Sequence, residues 1–148
     1  MILEAATAMI CMAHAIYFEA RSESTAAQLA VAHVIFNRVE DPRFPNTVCE
    51  VVTEGLRYDS GEMKRHKCQF SFYCDGKPEQ ISEQIAYRKA ELIAYSALDT
   101  YAQYDITDGA THYHADYVAP AWATADKFTK TTCIDKHCFY RLETTANR

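Results

Sequence analysis

Glu19 is the residue whose type and position most directly suggest chemistry. It follows the apolar turn Ala15-Ile16-Tyr17-Phe18 and precedes Ala20-Arg21-Ser22-Glu23-Ser24, so helical periodicity puts it near the C-terminal end of a helix. Removal from water and the negative end of the helix dipole both disfavour its charged form. A carboxylic acid held protonated near neutral pH can give a proton to a departing sugar oxygen, the step that glycosidic cleavage requires. The structural alternative is an ion pair with Arg21, Arg38 or another base, since such pairs also perturb pKa values. Glu23, four residues further on, would share a face with Glu19 on a continued helix and repel it. Because Ser24 and Thr25 read as the cap of the next helix, Glu23 belongs to the connection, where it orients Arg21 or a backbone amide. Spacing supplies no convincing two-carboxylate pair.

A second cluster is Gly109-Ala110-Thr111-His112-Tyr113-His114-Ala115. As a strand it sends His112 and His114 to one face and Thr111 and Tyr113 to the other. Two histidines on one face suggest a metal site that His137, Cys133 and Cys138 would complete. The four residues between Cys133 and Cys138, and the five between Cys68 and Cys74, are not the spacing of a zinc knuckle. No metal and no cofactor is expected, and His112, His114 and Tyr113 are assigned to hydrogen bonding and sugar stacking. A Cys-His hydrolase lacks a cysteine placed at a helix N-terminus beside a histidine. Phe70, Phe72, Tyr73, Tyr113, Tyr117, Trp122, Phe139 and Tyr140 gather in segments that read as loops and short strands. With Gln69, Ser71 and Thr111 as hydrogen-bonding groups, they suit the apolar faces and hydroxyl edges of a glycan.

These residues need a scaffold, and 148 residues with 49% hydrophobic and 24% charged side chains read as one domain spanning 1–148. Neither Gly nor Pro occurs before Pro42, which favours helices at the N-terminus and argues against a Gly-rich phosphate loop there. A net charge of −5, with no run of Lys or Arg forming a patch, argues against nucleic acid as a partner. The N-terminus lacks the basic region of a signal peptide, and no segment reaches the ~20 apolar residues of a membrane span, so no stable membrane association is expected. A monomer is expected.

Ile2, Ala6, Met9, Ala13 and Ile16, flanked by Leu3, Ile10 and Tyr17, predict a helix over residues 2–20. Thr25 and Gln28 fit a capping box for a second, centrally buried helix, Ala26 to Arg38. Residues 41–46 read as a loop, Thr47 with Glu50 caps a short helix that Gly55 ends, and polar residues 56–67 read as an exposed loop. Gln69 to Tyr73 reads as a short strand or an extended aromatic loop. Pro78 opens a long helix to about Tyr101, its buried side formed by Ile81, Ile85, Ala86, Ala90, Ile93, Ala94, Ala97 and Leu98. After the Asp108-Gly109 turn come short strands at Ala110 to His114, Thr129 to Cys133 and Cys138 to Arg141. Helices followed by small extended elements make an α+β fold.

The ordered segments Tyr17-Phe18-Glu19-Ala20-Arg21-Ser22-Glu23-Ser24, Gln28 to Ala32, Asn37-Arg38-Val39 and Phe44-Pro45-Asn46-Thr47-Val48-Cys49 resemble the spore-cortex-lytic (SleB-like) cell wall hydrolases. The likeness continues through Cys68-Gln69-Phe70-Ser71-Phe72, Asp75-Gly76, Gly109 to Ala115, Pro120-Ala121-Trp122-Ala123 and His137-Cys138-Phe139-Tyr140-Arg141. It covers roughly residues 12–141. Ser22 departs from the family's usual Gly, Asp135 from a frequent Gly before the closing His, and Phe72 from a frequent Trp. The resemblance implies a lysozyme-like α+β catalytic domain, mainly helical with a small antiparallel sheet in its C-terminal half. It also implies a lytic transglycosylase acting on the MurNAc-GlcNAc bond of peptidoglycan glycan strands, with Glu19 as the acid. Gln69, Phe70, Ser71, Phe72, Thr111, His112, Tyr113, His114 and Trp122 are then candidates to bind substrate, and Arg21 and Glu23 to orient. The alternatives are a hydrolytic muramidase, a zinc-dependent amidase using His112 and His114, and a non-catalytic glycan-binding wall protein. The enzyme would act on the wall from the periplasm or outside the cell, released as a phage endolysin or excised from a longer secreted protein. Cys68–Cys74 and Cys133–Cys138 are close enough in sequence to be candidate local disulfides, and if they form, at most a modest loss of stability on reduction is expected.

Overall fold

Helix α1 (Ile2–Ala20) carries the acidic candidate in its last turn, and its second half is the buried half. The computed structural model describes residues 2–143, with side chains from Glu4 onward, so the expected apolar contacts of Ile2 and Leu3 lie outside the described residues. Met12, Ala13, Ala15, Ile16, Tyr17 and Ala20 enter the core. Ala6 and Ile10 stay exposed, contrary to the expected broad apolar face, because they line an open groove beside Leu92 and Tyr95.

The central helix α2 (Thr25–Glu40) is apolar nearly all round and buried accordingly, with Ala27, Ala30, Val31, Ala32, Val34 and Ile35 enclosed between α1, the sheet and α4. Its cap is Ser24, whose Oγ accepts from the Ala27 amide at 3.2 Å, and not the expected Thr25. Gln28 is fully buried and turns inward instead of closing a capping box, its Nε2 donating to the Ala20 carbonyl at 2.9 Å. Helix α3 (Val48–Val52) has the expected cap, Thr47 Oγ1 accepting from the Glu50 amide.

Residues 56–67 do not form the expected loop. Strand β1 (Gly55–Arg57) pairs antiparallel with β2 (Met63–Cys68), Gly55 lying opposite Cys68. Both faces of this hairpin are largely solvated, so its sequence lacks the alternation that marks a half-buried strand. Gly55 is required at this crossing because a Cβ there would meet Cys68 Cα and Sγ at 2.9 Å. Ser71–Cys74 is a 3-10 turn, not a strand. Pro78 does not open the long helix: α4 (Gln84–Gln103) starts six residues later, which leaves Ile81 outside it, and its buried stripe is narrower than expected. Ala90, Ile93, Ala94 and Ala97 are enclosed, whereas Ile85 is 90% and Leu98 61% exposed.

The C-terminal strands are β3 (His112–Ala115), β4 (Phe128–Ile134) and β5 (His137–Leu142), an antiparallel sheet in the order β3-β5-β4. Central β5 buries His137, Cys138, Phe139 and Tyr140. Asp108, Gly109 and Asp135 all have φ between 52° and 81°, the left-handed turns that Asn, Asp and Gly tolerate. Asp135 also has a task a glycine could not perform, because its Oδ2 accepts from the Ser24 amide at 2.8 Å and ties the β4-β5 turn to the start of α2.

Asn37 holds the approach to β3. Its Nδ2 donates to Asp105 Oδ2 and to the Ala110 carbonyl, both at 2.8 Å, while Tyr101 donates to its Oδ1 at 2.6 Å. Buried His33 accepts from the Ile106 amide and bonds Thr100.

Both candidate local disulfides form, and a third, which the sequence did not single out, joins Cys11 of α1 to Cys49 of α3. Loop-closure entropy grows with the number of residues enclosed. The Cys11–Cys49 bridge, across 38 residues, is therefore expected to contribute about 4 kcal/mol, against about 2 kcal/mol for each short bridge. Complete reduction should cost more than the modest amount expected from the short loops alone. Denaturant unfolding of Cys11→Ser/Cys49→Ser beside Cys133→Ser/Cys138→Ser tests this, and equal losses would refute it.

Candidate active site

Four parts of the fold converge around the end of α1. Glu19, Arg38 of α2, Gln69 and Phe70 after β2, His112 and Tyr113 of β3, and Trp122 of the 3-10 turn Ala121–Thr124 line a pocket of about 170 Å³. Six of these residues are sequence candidates. Arg38 is the addition, given a role beforehand only as one ion-pair alternative for Glu19. A larger apolar groove of about 560 Å³ between α1 and α4 is lined by residues such as Met9, Ile10, Leu92 and Tyr95 and lacks this chemistry.

Burial pushes the Glu19 carboxyl above the usual carboxylate range. The Tyr113 hydrogen bond and the Arg38 charge act against that shift, and Glu23 adds to it. Tyr113 donates its hydroxyl to Glu19 Oε1 at 2.5 Å. Burial and the neighbouring Glu19 carboxyl hold the Tyr113 phenol well above its ordinary value, so it remains a donor. The Tyr113 ring packs edge-on against His137 at 5.1 Å and near Phe139 at 5.6 Å. Glu23 lies behind this layer, its Oε1 3.0 Å from His137 Nδ1. Of its two expected roles it takes the backbone one, accepting from the Lys136 amide at 3.4 Å and bracing the turn at His137, while Arg21 is paired elsewhere.

His112 and His114 do share a face, both packing against Trp122. Burial, and then Arg38, Arg43 and Lys127, depress the His112 pKa to about 4, so the ring is neutral at physiological pH. Buried Thr111 Oγ1 accepts from the Leu142 amide and lies 2.9 Å from His112 Nδ1. Donation of its own proton to Nδ1 would leave Nε2–H as the ring's free donor, a tautomer set from behind the pocket.

The remaining candidates lie elsewhere. His114 is engaged by Tyr140 Oη at 2.9 Å and by the Ala115 carbonyl. Phe72 stacks on Phe18 at 4.8 Å in the core, Ser71 is exposed outside the pocket, and Arg21 bonds Tyr17 Oη and Glu83. Cys133 and Cys138 are joined to each other.

Tyr113→Phe is expected to lower activity by about tenfold or more, the worth of one hydrogen bond to a charged group. The bond favours the carboxylate, so its loss raises the Glu19 pKa and moves the alkaline limb of the pH-rate profile upward. An unchanged limb in a folded variant would show that Tyr113 does not tune Glu19.

The family described as Cell Wall Hydrolase matches residues 22–140, a segment that opens just after Glu19. The spore cortex-lytic enzyme of Halalkalibacterium halodurans is 33% identical over 129 residues, covering 86% of this chain and 33% of its own length. The Bacillus subtilis spore cortex-lytic enzyme is 31% identical over 129 residues, with 86% and 35% covered. This chain thus spans about a third of the length of those relatives. The catalytic domain of the germination-specific lytic transglycosylase SleB from Bacillus anthracis superposes with a TM-score of 0.61 at 28% identity, covering 89% of this chain and 92% of that one. The catalytic domain of the Bacillus cereus SleB protein gives 0.60 at 29% identity, with 89% and 88% covered. The lysozyme-like α+β fold, mainly helical with a small C-terminal sheet, is shared with these domains.

Proposed function

Because this chain belongs to the cell wall hydrolase family, we propose that residues 1–148 act as one catalytic domain, a lytic transglycosylase of peptidoglycan glycan strands. The bond cleaved is the β-1,4 linkage between N-acetylmuramic acid and N-acetylglucosamine. The observation that carries this reading is a raised-pKa carboxyl, Glu19, opening into a pocket furnished with aromatic faces and neutral donors. The SleB domains it resembles are described as those of a lytic transglycosylase.

In the resting state Glu19 is protonated. It gives that proton to the glycosidic oxygen as the C1–O bond of the muramic residue breaks, and is left as a carboxylate facing an oxocarbenium-like sugar. The C6 hydroxyl of the same sugar then attacks C1 and returns its proton to Glu19, closing a 1,6-anhydro ring. One carboxyl serves both steps, in keeping with a pocket whose lining, among the described residues, has Glu19 as its carboxylate. Gln69 and the His112 Nε2–H provide hydrogen bonds for sugar substituents, and Phe70 and Trp122 provide apolar faces. Glu23, Thr111 and His114 support the walls from behind, and Arg21 steadies the end of α1 through Tyr17. In this reading the protein works as a monomer on the wall, in the periplasm or outside the cell. Among the described residues no helix is long and apolar enough to cross a membrane.

Mass spectrometry of purified peptidoglycan after digestion, with and without a chelator, tests the reading. Muropeptides ending in 1,6-anhydromuramic acid, formed equally in both samples, are expected. Reducing muramic ends would make the enzyme a hydrolytic muramidase. Free stem peptides, with activity lost to chelator and restored by zinc, would make it an amidase. Binding without any product would leave a glycan-binding protein.

A further inference from the structure

Arg38 is a buried cation that lacks a matching carboxylate. It is 5% exposed, fixed by its Nε–H bond to the Thr111 carbonyl at 2.7 Å and by the rings of Phe44 and Phe70 at 4.9 and 5.7 Å from its guanidinium carbon. Its Nη1 is buried without a hydrogen-bond partner, and among the described residues no carboxylate lies within 4.0 Å. Removing such a charge from water is costly unless a counter-charge compensates it. Two carboxyls act on it electrostatically. One is Glu54, in the connection between α3 and β1, whose Oε1 is likewise buried and unpartnered; the other is Glu19. In the proposed cycle Glu19 enters as the neutral acid, so the full pair with Arg38 exists only after its proton has left.

We propose that Arg38 is the counter-charge for the Glu19 carboxylate that forms between the two proton transfers, and that Glu54 holds Arg38 in position while Glu19 is protonated. The inference rests on the transglycosylase reading and assigns positioning roles to two residues within it. When the Glu19 proton passes to the glycosidic oxygen, the electrons of the C1–O bond leave with that oxygen, and the negative charge on Glu19 meets Arg38 and the Tyr113 hydroxyl. When the C6 oxygen bonds to C1, its proton returns to Glu19 and the Arg38 charge reverts to Glu54. The charge facing Glu19 thus comes from Arg38 of α2 and from Glu23 in the α1-α2 connection, with Tyr113 of β3 as donor. His137 of β5 is engaged by Glu23, and His112 of β3 is neutral at assay pH.

The test is the pH profile of kcat/KM on purified peptidoglycan fragments for Arg38→Met, Arg38→Lys and Glu54→Gln. Its alkaline limb reports loss of the Glu19 proton. Removing the Arg38 charge destabilises the carboxylate, so in Arg38→Met the limb moves up by about one pH unit and kcat falls on the order of 10²-fold. Arg38→Lys restores the limb and part of the rate. Glu54→Gln frees Arg38 to favour the Glu19 carboxylate, so its limb moves down. A structural role would lower activity without shifting the two limbs in opposite directions. Limbs that stay at the wild-type position, shift together, or do not return with lysine would overturn the proposal. If Arg38→Met does not fold, the direction of the Glu54→Gln shift decides alone. Failure of the underlying reading is seen separately, in wild-type products that lack anhydro ends.

Discussion

Glu19→Gln is expected to abolish wall lysis while the protein stays folded. The amide keeps the size of the side chain and can still meet Tyr113, but it has no proton to give the leaving oxygen and cannot take one back from the C6 hydroxyl. General acid-base catalysis contributes roughly 10²–10⁴-fold, and here a single group serves both halves of the reaction, so the loss should reach at least the lower figure. The measurement is turbidity clearance together with release of soluble muropeptides, with circular dichroism to show that the fold persists. A folded variant retaining more than about a tenth of the activity would remove Glu19 from the role, given that expected loss. Wild-type activity should in turn decline as pH rises through the raised pKa of Glu19. Glu23→Gln should be milder, because Glu23 lies against His137 behind the Tyr113 ring and outside the pocket lining. An equal loss there would reopen the choice of acid.

The second large effect concerns stability. Asn37→Ala removes two 2.8 Å donations, to the Asp105 carboxylate and the Ala110 carbonyl, and leaves the Tyr101 hydroxyl without its acceptor. Bonds to charged groups and orphaned buried groups each cost about 1–3 kcal/mol, so a loss of about 3 kcal/mol and a fall in Tm of about 6–12 °C are expected. A loss below about 1 kcal/mol in thermal or urea unfolding would show that the network is dispensable. The variant should also be more acid-sensitive. Burial works to raise the Asp105 carboxyl, but His33 beside it and hydrogen bonds from Asn37 and Thr107 outweigh it and hold the group well below the usual carboxylate range. With a depressed folded-state pKa, the stabilisation is present above the unfolded value and is lost as pH falls toward the folded one. Removing Asn37 raises the folded pKa and moves the onset of acid unfolding to higher pH.

Local chemistry was enough to determine α1, α3 and the C-terminal strands, because their apolar spacing, caps and turn residues act within a few positions of one another. The same locality marked Glu19, an acid one turn after an apolar run at a helix end, and the shared face of His112 and His114. Where two local signals competed, the sequence could not decide between them. Ser24 and Thr25 are both good caps, and the choice fell to Ser24, whose amide also receives Asp135 from the far end of the chain. The β1-β2 hairpin left no trace because neither of its faces is packed against a core, so nothing selected for alternation. Long-range packing decided the rest. It sent Phe72 into the core against Phe18, chose for Glu23 the Lys136 amide and His137 over Arg21, and brought Tyr113 onto Glu19 across 94 residues. It also placed Arg38 in the pocket, since whether a cation on a helix meets water or a catalytic carboxyl depends on which elements cover that face, and no spacing along α2 encodes that.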